Sequence, residues 1–227
     1  MEKSINFFQT KKEMLNACSD FLFNVILSNI KNNSFNLALS GGRTPSPLYK
    51  SLFSKLVKDK IDKKINIFLT DERCVPTTSR DSNYKMIKNC ALETKFNGKI
   101  HQMFYEDLGP KESCNQYSKK IQNYKINAAV FGIGNDGHIA SIFHNKDLKD
   151  KESLNVYEPI NFDFTRISLT MKSILEINKI IVIASGIEKE KQIKNIIEDN
   201  STVLNPLSFL FNNTNGSYFL SDMNVDI

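Results

Sequence analysis

Hydrophobic and polar positions along the chain sort it into two alternating kinds of segment. Short, continuous apolar runs read as buried strands. Longer stretches with an apolar residue every three or four positions read as amphipathic helices. Thr10-Lys-Lys-Glu13 is a capping box that opens the first helix. Met14, Leu15, Cys18, Leu22, Val25, Ile26 and Ile30 then make one apolar face to about residue 31. Phe35–Leu39 is a short apolar strand that runs into Ser40-Gly-Gly-Arg-Thr44. Pro45 sits where a first helical turn tolerates proline, and Leu48, Leu52 and Leu56 form the buried stripe of the helix that follows.

The same alternation continues. Ile65–Leu69 is a strand ending in Thr70-Asp-Glu-Arg-Cys-Val-Pro76. Helices are predicted from Asp81–Tyr84 to about Leu92 and over Gln116–Tyr124. Ala128–Phe131 is a strand, Arg166–Thr170 alternates as a strand does, and Met171–Asn178 is a short helix. Ile180–Ala184 is a continuous apolar strand, followed by Ser185-Gly186 and a helix to about Glu198; Ser217–Leu220 closes the chain as a strand. The stretch 145–164 is the least readable and is expected as a loop, open to being a mobile cover over a site.

Strands that are apolar on both faces and alternate with helices predict an α/β architecture. The expectation is a Rossmann-like, mostly parallel sheet with helices on both faces, in a single domain over 1–227. Ligands in such sheets sit outside the carboxyl ends of the strands. Unusual residues stand there four times: Ser40–Arg43, Asp71–Arg73, Gly134–His138 and Ser185-Gly186.

Composition changes this picture little. At 227 residues, 41% apolar and 24% charged, the chain can bury one sizeable core, and no linker or repeat divides it. The N-terminal residues lack the apolar stretch of a signal peptide, and no run approaches the roughly 18 apolar residues of a membrane span. Cys18, Cys74, Cys90 and Cys114 show neither C-x-x-C pairing nor zinc spacing. A soluble, reducing, cytoplasmic setting with free thiols is expected. The net charge is +5, but the lysines are scattered among asparagines rather than gathered into a basic stripe with aromatics. No nucleic acid or membrane partner is therefore expected. A mild positive field would still help capture a small anionic substrate.

The strand-end motifs carry the chemistry. Ser40, Gly41, Gly42, Arg43 and Thr44 lie between a strand and a helix N-terminus, where backbone N–H groups and the helix dipole favour an anion; a tight turn with no ligand is the competing reading. The loop lacks the G-K-[ST] of a Walker A motif. In Asp71-Glu72-Arg73, Arg73 offers a planar fork for phosphate or carboxylate and Asp71 could orient a hydroxyl or a base; a structural salt bridge is the competing reading. Gly132, Gly134 and Gly137 spell a literal G-x-G-x-x-G after a strand. A dinucleotide turn would need a longer helix next and an acidic residue ending a second strand. Here the apolar pattern breaks after Phe143, and Glu158, near the right offset, is followed by Pro159. Asp136 would also face a pyrophosphate as a like charge. His138 is the better clue, because an imidazole with an ordinary pKa of about 6.5 suits a general base near neutral pH. Asp136 could hold it or orient a substrate. Lys189, three residues after Gly186, is a cation in the first turn of a helix, unfavourable unless an anion shares the site; Lys191 competes for the role. No three-ligand cluster is evident, so no metal is expected.

Taken in order, Leu39–Pro45, Thr70–Pro76, Ser82-Asn-Tyr84, Gly132–Phe143, Arg166–Thr170 and Gly186-x-x-Lys189 resemble the 6-phosphogluconolactonase family across nearly the whole chain. The superfamily also contains glucosamine-6-phosphate deaminases and isomerases with a similar Asp-Gly-His loop. The resemblance implies hydrolysis of 6-phospho-D-glucono-1,5-lactone to 6-phosphogluconate in the pentose phosphate pathway, without a cofactor. It implies His138 as general base, with Asp136 and Asn83 lining the pocket. Arg73, Lys189 and the Ser40–Thr44 loop would hold phosphate and sugar oxygens. Arg166 would serve phosphate or a structural ion pair. The partner is then a small phosphorylated sugar lactone, and the assembly a monomer or weak homodimer. Two residues depart from the family pattern: Ile139 stands where threonine is usual, and His144 where proline is usual. The alternative, a deaminase-like isomerase, would need a glutamate where this chain has Phe143. A non-enzymatic sugar-phosphate sensor on the same fold is the third reading.

Overall fold

The structure is a computed structural model and describes residues 3–30, 34–143, 145–157, 163–197 and 205–223. Its strands are β1 (Ser4–Phe8), β2 (Phe35–Leu39), β3 (Ile65–Leu69), β4 (Asp71–Arg73), β5 (Lys99–Ile100), β6 (Ala128–Gly132), β7 (Leu154–Tyr157), β8 (Arg166–Leu169), β9 (Lys179–Ser185) and β10 (Ser217–Ser221). Its helices are α1 (Lys11–Ile30), α2 (Ser46–Lys58), α3 (Asn83–Thr94), α4 (Gly109–Gln122), α5 (Met171–Leu175), α6 (Glu190–Ile197) and α7 (Pro206–Asn213).

Seven strands form one parallel sheet in the order β1-β10-β9-β6-β2-β3-β5. The central strands are buried almost throughout, wholly in β2 and at all but one position in β3 and β9, because helices cover them. Connections from β1 through β5 step one way across the sheet, and those from β5 through β10 step back. Right-handed crossovers then put α1–α3 on one face and α4–α7 on the other. The direction reverses between neighbours β2 and β6, and this is where a crevice opens at the carboxyl ends of such a sheet.

Local chemistry agrees with several elements. The Thr10 N–H donates to Glu13 Oε2 at 3.1 Å and the Glu13 N–H to Thr10 Oγ1 at 3.2 Å, so the predicted capping box is formed. Met14, Leu15, Cys18, Leu22, Ile26 and Ile30 of α1 are buried as the spacing requires. Ser82 caps α3, its Oγ accepting from the Lys85 N–H at 3.1 Å.

The structure differs from the sequence expectation in identifiable places. Asp71–Arg73 is not a loop but strand β4, which leaves the large sheet and joins β8 and β7 in a second, antiparallel sheet. Only three residues long and wholly charged, it carries no apolar signal. β1, β5, β7 and α7 also had no expectation: β1 and β5 are edge strands, and β5 has two residues. Pro45 is the N-cap residue of α2 rather than a residue of its first turn. α4 begins at Gly109, earlier than expected, and α5 ends at Leu175, before the expected Asn178. Within 145–164, Asn145–Lys149 forms a 3-10 turn and β7 is paired to β8. His144, Glu158, Pro159 and Glu198 lie outside the described residues. No helix follows Gly137 directly; Ile139 instead bridges to Ile133 and Ile142, which departs from the geometry of a dinucleotide turn.

Candidate active site

The loops after β2, β3 and β6 and the turn after β9 meet at the β2/β6 switch point around a cleft of about 260 Å³. Among its lining residues are Ser40, Gly41, Gly42, Arg43, Thr44, Asp71, Arg73, Asn83, His138, Arg166 and Lys189. Asp136 stands outside that lining, held to His138 by a hydrogen bond, as do Gly137 and Lys191, the competitor of Lys189.

The β6 loop presents the imidazole. Asp136 Oδ1 lies 2.6 Å from His138 Nδ1 and also accepts the His138 backbone N–H at 3.2 Å. Partial burial raises the Asp136 pKa, but the hydrogen bonds and charge of His138 outweigh it and bring the carboxyl down to about 2. The Phe143 ring packs on the other side, 4.4 Å from the imidazole centroid. The Arg166 guanidinium stands over that same ring at 5.5 Å. Gly134 is needed for this close packing: a Cβ there would fall 2.1 Å from His138 Nδ1 and 2.5 Å from Asp136 Oδ1.

The opposite wall is cationic. β4 and β8 pair so that Arg73 and Arg166 are direct cross-strand partners. Like charges directly opposite each other are destabilising unless something between or beside them compensates. Burial lowers the Arg166 pKa; Asp71 pulls it back up, and Arg73 pushes it down. Asp71 Oδ2 is 4.0 Å from Arg166 Nη1 and accepts the buried Ser141 hydroxyl at 2.8 Å. Arg73 Nη1 donates to Asn83 Oδ1 at 2.9 Å and to the Asp81 carbonyl at 3.1 Å, while its buried Nε has no partner among the described residues. Asn83 thus lines the cleft and also serves as a joint between its walls. Its Nδ2 donates to the Asp71 carbonyl at 2.8 Å, and the Gly41 backbone lies so close that a Cβ there would overlap its amide at 1.8 Å.

Strand alternation turns Glu72 away from Asp71 and Arg73. Its buried carboxylate accepts the N–H groups of Arg73, Asn83 and Tyr84 and the Ser82 hydroxyl at 2.8–3.2 Å. Burial pushes its pKa up to about 7, against the pull of those donors. Glu72 had not been singled out, although the period of two in a three-residue strand was the available signal. Tyr49 was likewise missed; its hydroxyl donates to the Ser40 carbonyl at 2.8 Å and ties the β2 loop to α2.

Lys189 closes the cleft from the 3-10 turn Ile187–Lys189 that precedes α6. Its Nζ donates to Asn135 Oδ1. Partial burial lowers its pKa, with Glu188 and Asp136 pulling the other way. Among the described residues, no three His, Cys, Asp or Glu side chains are grouped so as to hold a metal ion, and no helix is long and apolar enough to cross a membrane.

The chain has relatives among known proteins. Residues 9–219 match the family described as glucosamine-6-phosphate isomerases/6-phosphogluconolactonase. The chain belongs to this family. It is 29% identical over 214 residues to a 6-phosphogluconolactonase of Chlamydia pneumoniae, covering 86% of this chain and 81% of that one. It is 30% identical over 196 residues to a 6-phosphogluconolactonase of Treponema pallidum, covering 81% of each. The crystal structure of a 6-phosphogluconolactonase from Shewanella baltica superposes with a TM-score of 0.85 over 98% of both chains at 20% identity. At that identity the superposition speaks for the isomerase/lactonase fold alone.

Proposed function

We propose that this chain hydrolyses 6-phospho-D-glucono-1,5-lactone to 6-phospho-D-gluconate. The observation that carries the reading is the His138–Asp136 pair facing, across one cleft, the opposed Arg73 and Arg166 with Lys189 at the rim. A base and a cationic wall suit a substrate with an electrophilic carbonyl at one end and a phosphate at the other. The names of the family and its curated relatives support the same reaction.

In this reading the Asp136 carboxylate accepts a hydrogen bond from the Nδ1–H of His138, which leaves Nε2 to accept a proton from water. The water oxygen bonds to the lactone carbonyl carbon as that proton passes to the imidazole. Cationic or backbone N–H groups at the cleft offset the developing oxyanion. The tetrahedral intermediate collapses, the bond from carbon to the ring oxygen breaks, and the ring oxygen takes the proton from the imidazolium. One water is consumed and His138 is restored. The orphan Nε of Arg73 and the like-charged pair with Arg166 favour an anion at that wall. Phe143 against His138 weighs against the isomerase reading, because an apolar ring occupies the place where that chemistry needs a carboxylate.

The test is lactone hydrolysis measured above the spontaneous rate. His138→Ala should lose roughly 10²–10⁴-fold in kcat. Equal rates for wild type and His138→Ala would refute the mechanism. Equal use of a phosphate-free gluconolactone would refute the phosphate grip.

A further inference from the structure

The turn that carries His138 is held from outside the cleft by residues of two later helices. Gln192, in the first turn of α6, donates its Nε2 to the Asn135 carbonyl at 3.1 Å. Its Oε1 accepts from Asn205 Nδ2 at 2.9 Å. Asn205 is the N-cap of α7, and its Oδ1 accepts the Ser208 N–H at 2.8 Å. One residue into α7, the Leu207 N–H donates to the Gly137 carbonyl at 3.0 Å. The turn lies tightly against this support. A Cβ at Gly137 would come 2.7 Å from Asn205 Nδ2 and 3.0 Å from Gln192 Oε1. Both amide ends of Gln192 are therefore used, one on the turn and one on the cap of α7. Lys189, three residues before Gln192, contacts the Asn135 side chain from the cleft side.

We propose that Gln192 and Asn205 are positioning residues: the chain Asn205–Gln192–Asn135 fixes the turn that aims His138 into the cleft. The inference rests on the reading of His138 as the base. Neither side chain is among the residues lining the cleft. Their loss should therefore affect the aim of the base more than the holding of substrate. A misplacement of about 1 Å in a catalytic group can cost on the order of 10²-fold in rate.

The test compares Gln192→Ala, Asn205→Asp, the double variant and His138→Ala in lactone hydrolysis, with thermal melts alongside. Asn205→Asp keeps the oxygen that caps α7 and replaces the donor to Gln192 with a charged acceptor that meets Gln192 Oε1 unfavourably. The expected result is a fall in kcat of about tenfold or more in each single variant, with KM within about twofold of wild type and Tm within about 4 °C. The double variant should be no slower than Gln192→Ala within about twofold, because both changes break one chain. If Gln192→Ala melts much lower, Asn205→Asp decides. Wild-type kcat in Asn205→Asp and Gln192→Ala, beside an inactive His138→Ala, overturns the proposal and leaves the base reading standing. A rise in KM with unchanged kcat also overturns it. A fully active His138→Ala sinks the base reading, and this inference with it.

Discussion

His101 offers a sharp test of how burial sets charge in this fold. It follows β5, is 4% exposed, and stacks on Phe68 with ring centroids 4.3 Å apart and planes 13° from parallel. Tyr124 closes the aromatic cluster at 5.5 Å. The buried His101 Nε2 has no hydrogen-bond partner among the described residues. Burial, helped by Lys120 and Lys99, lowers its pKa from 6.5 to about 4. The unfolded chain therefore binds more protons than the folded one between those two values, and stability must fall as pH drops through that window. At roughly 1.4 kcal/mol per pKa unit, the full penalty below pH 4 is about 3 kcal/mol, of which about 2 kcal/mol is already present at pH 5. Phenylalanine at this position would keep the stack and remove the proton site. At pH 7 His101→Phe should lie within about 1.5 kcal/mol of wild type, as a near-isosteric swap. Urea denaturation at 25 °C, run at pH 7 and pH 5, reads the difference. Wild type should lose about 2 kcal/mol more than His101→Phe on going to pH 5. Glu72 titrates in the opposite sense, its raised pKa favouring the fold at low pH, but it is common to both proteins and cancels. If the two proteins lose the same stability, His101 is not the buried neutral imidazole described here.

Two further predictions concern the cleft. Inorganic phosphate, compared with chloride at equal ionic strength, should raise the Tm of wild type by binding between Arg73 and Arg166, by about 2.7 kcal/mol of linkage at a hundredfold excess over Kd; the rise should vanish in Arg73→Met. Ser141→Ala removes the 2.8 Å donor to Asp71 Oδ2 in a fully buried setting and should cost about 1–3 kcal/mol in urea denaturation; an unchanged midpoint would show that the Asp71 network contributes nothing to stability.

The chain's own pattern determined a good deal. Continuous apolar runs alternating with helical stripes dictated a covered parallel sheet, because a strand apolar on both faces has to be buried on both. The same pattern located the strand-end loops, and glycine, histidine and arginine in those loops marked the cleft before any tertiary contact was known. Thr10 and Glu13 named a helix start because a capping box is a local bargain between residues three apart. What the chain alone did not reveal depends on segments meeting from far apart. Arg73 faces Arg166 only because β4 leaves the parallel sheet and pairs with β8. Glu72 turns from the middle of three charges in a row into the carboxylate that accepts the first N–H groups of α3 beside the Ser82 cap only once that pairing sets which side of the strand it occupies. Gln192 and Asn205 look like ordinary polar surface residues until α6 and α7 bring them under the Asn135–Gly137 turn. His101 shows no pattern of its own, and its neutrality comes from the aromatic rings folded over it. Periodicity reports which face of an element is buried; which partner it is buried against is decided by packing the elements into the large parallel sheet, its helical layers and the small antiparallel sheet beside them.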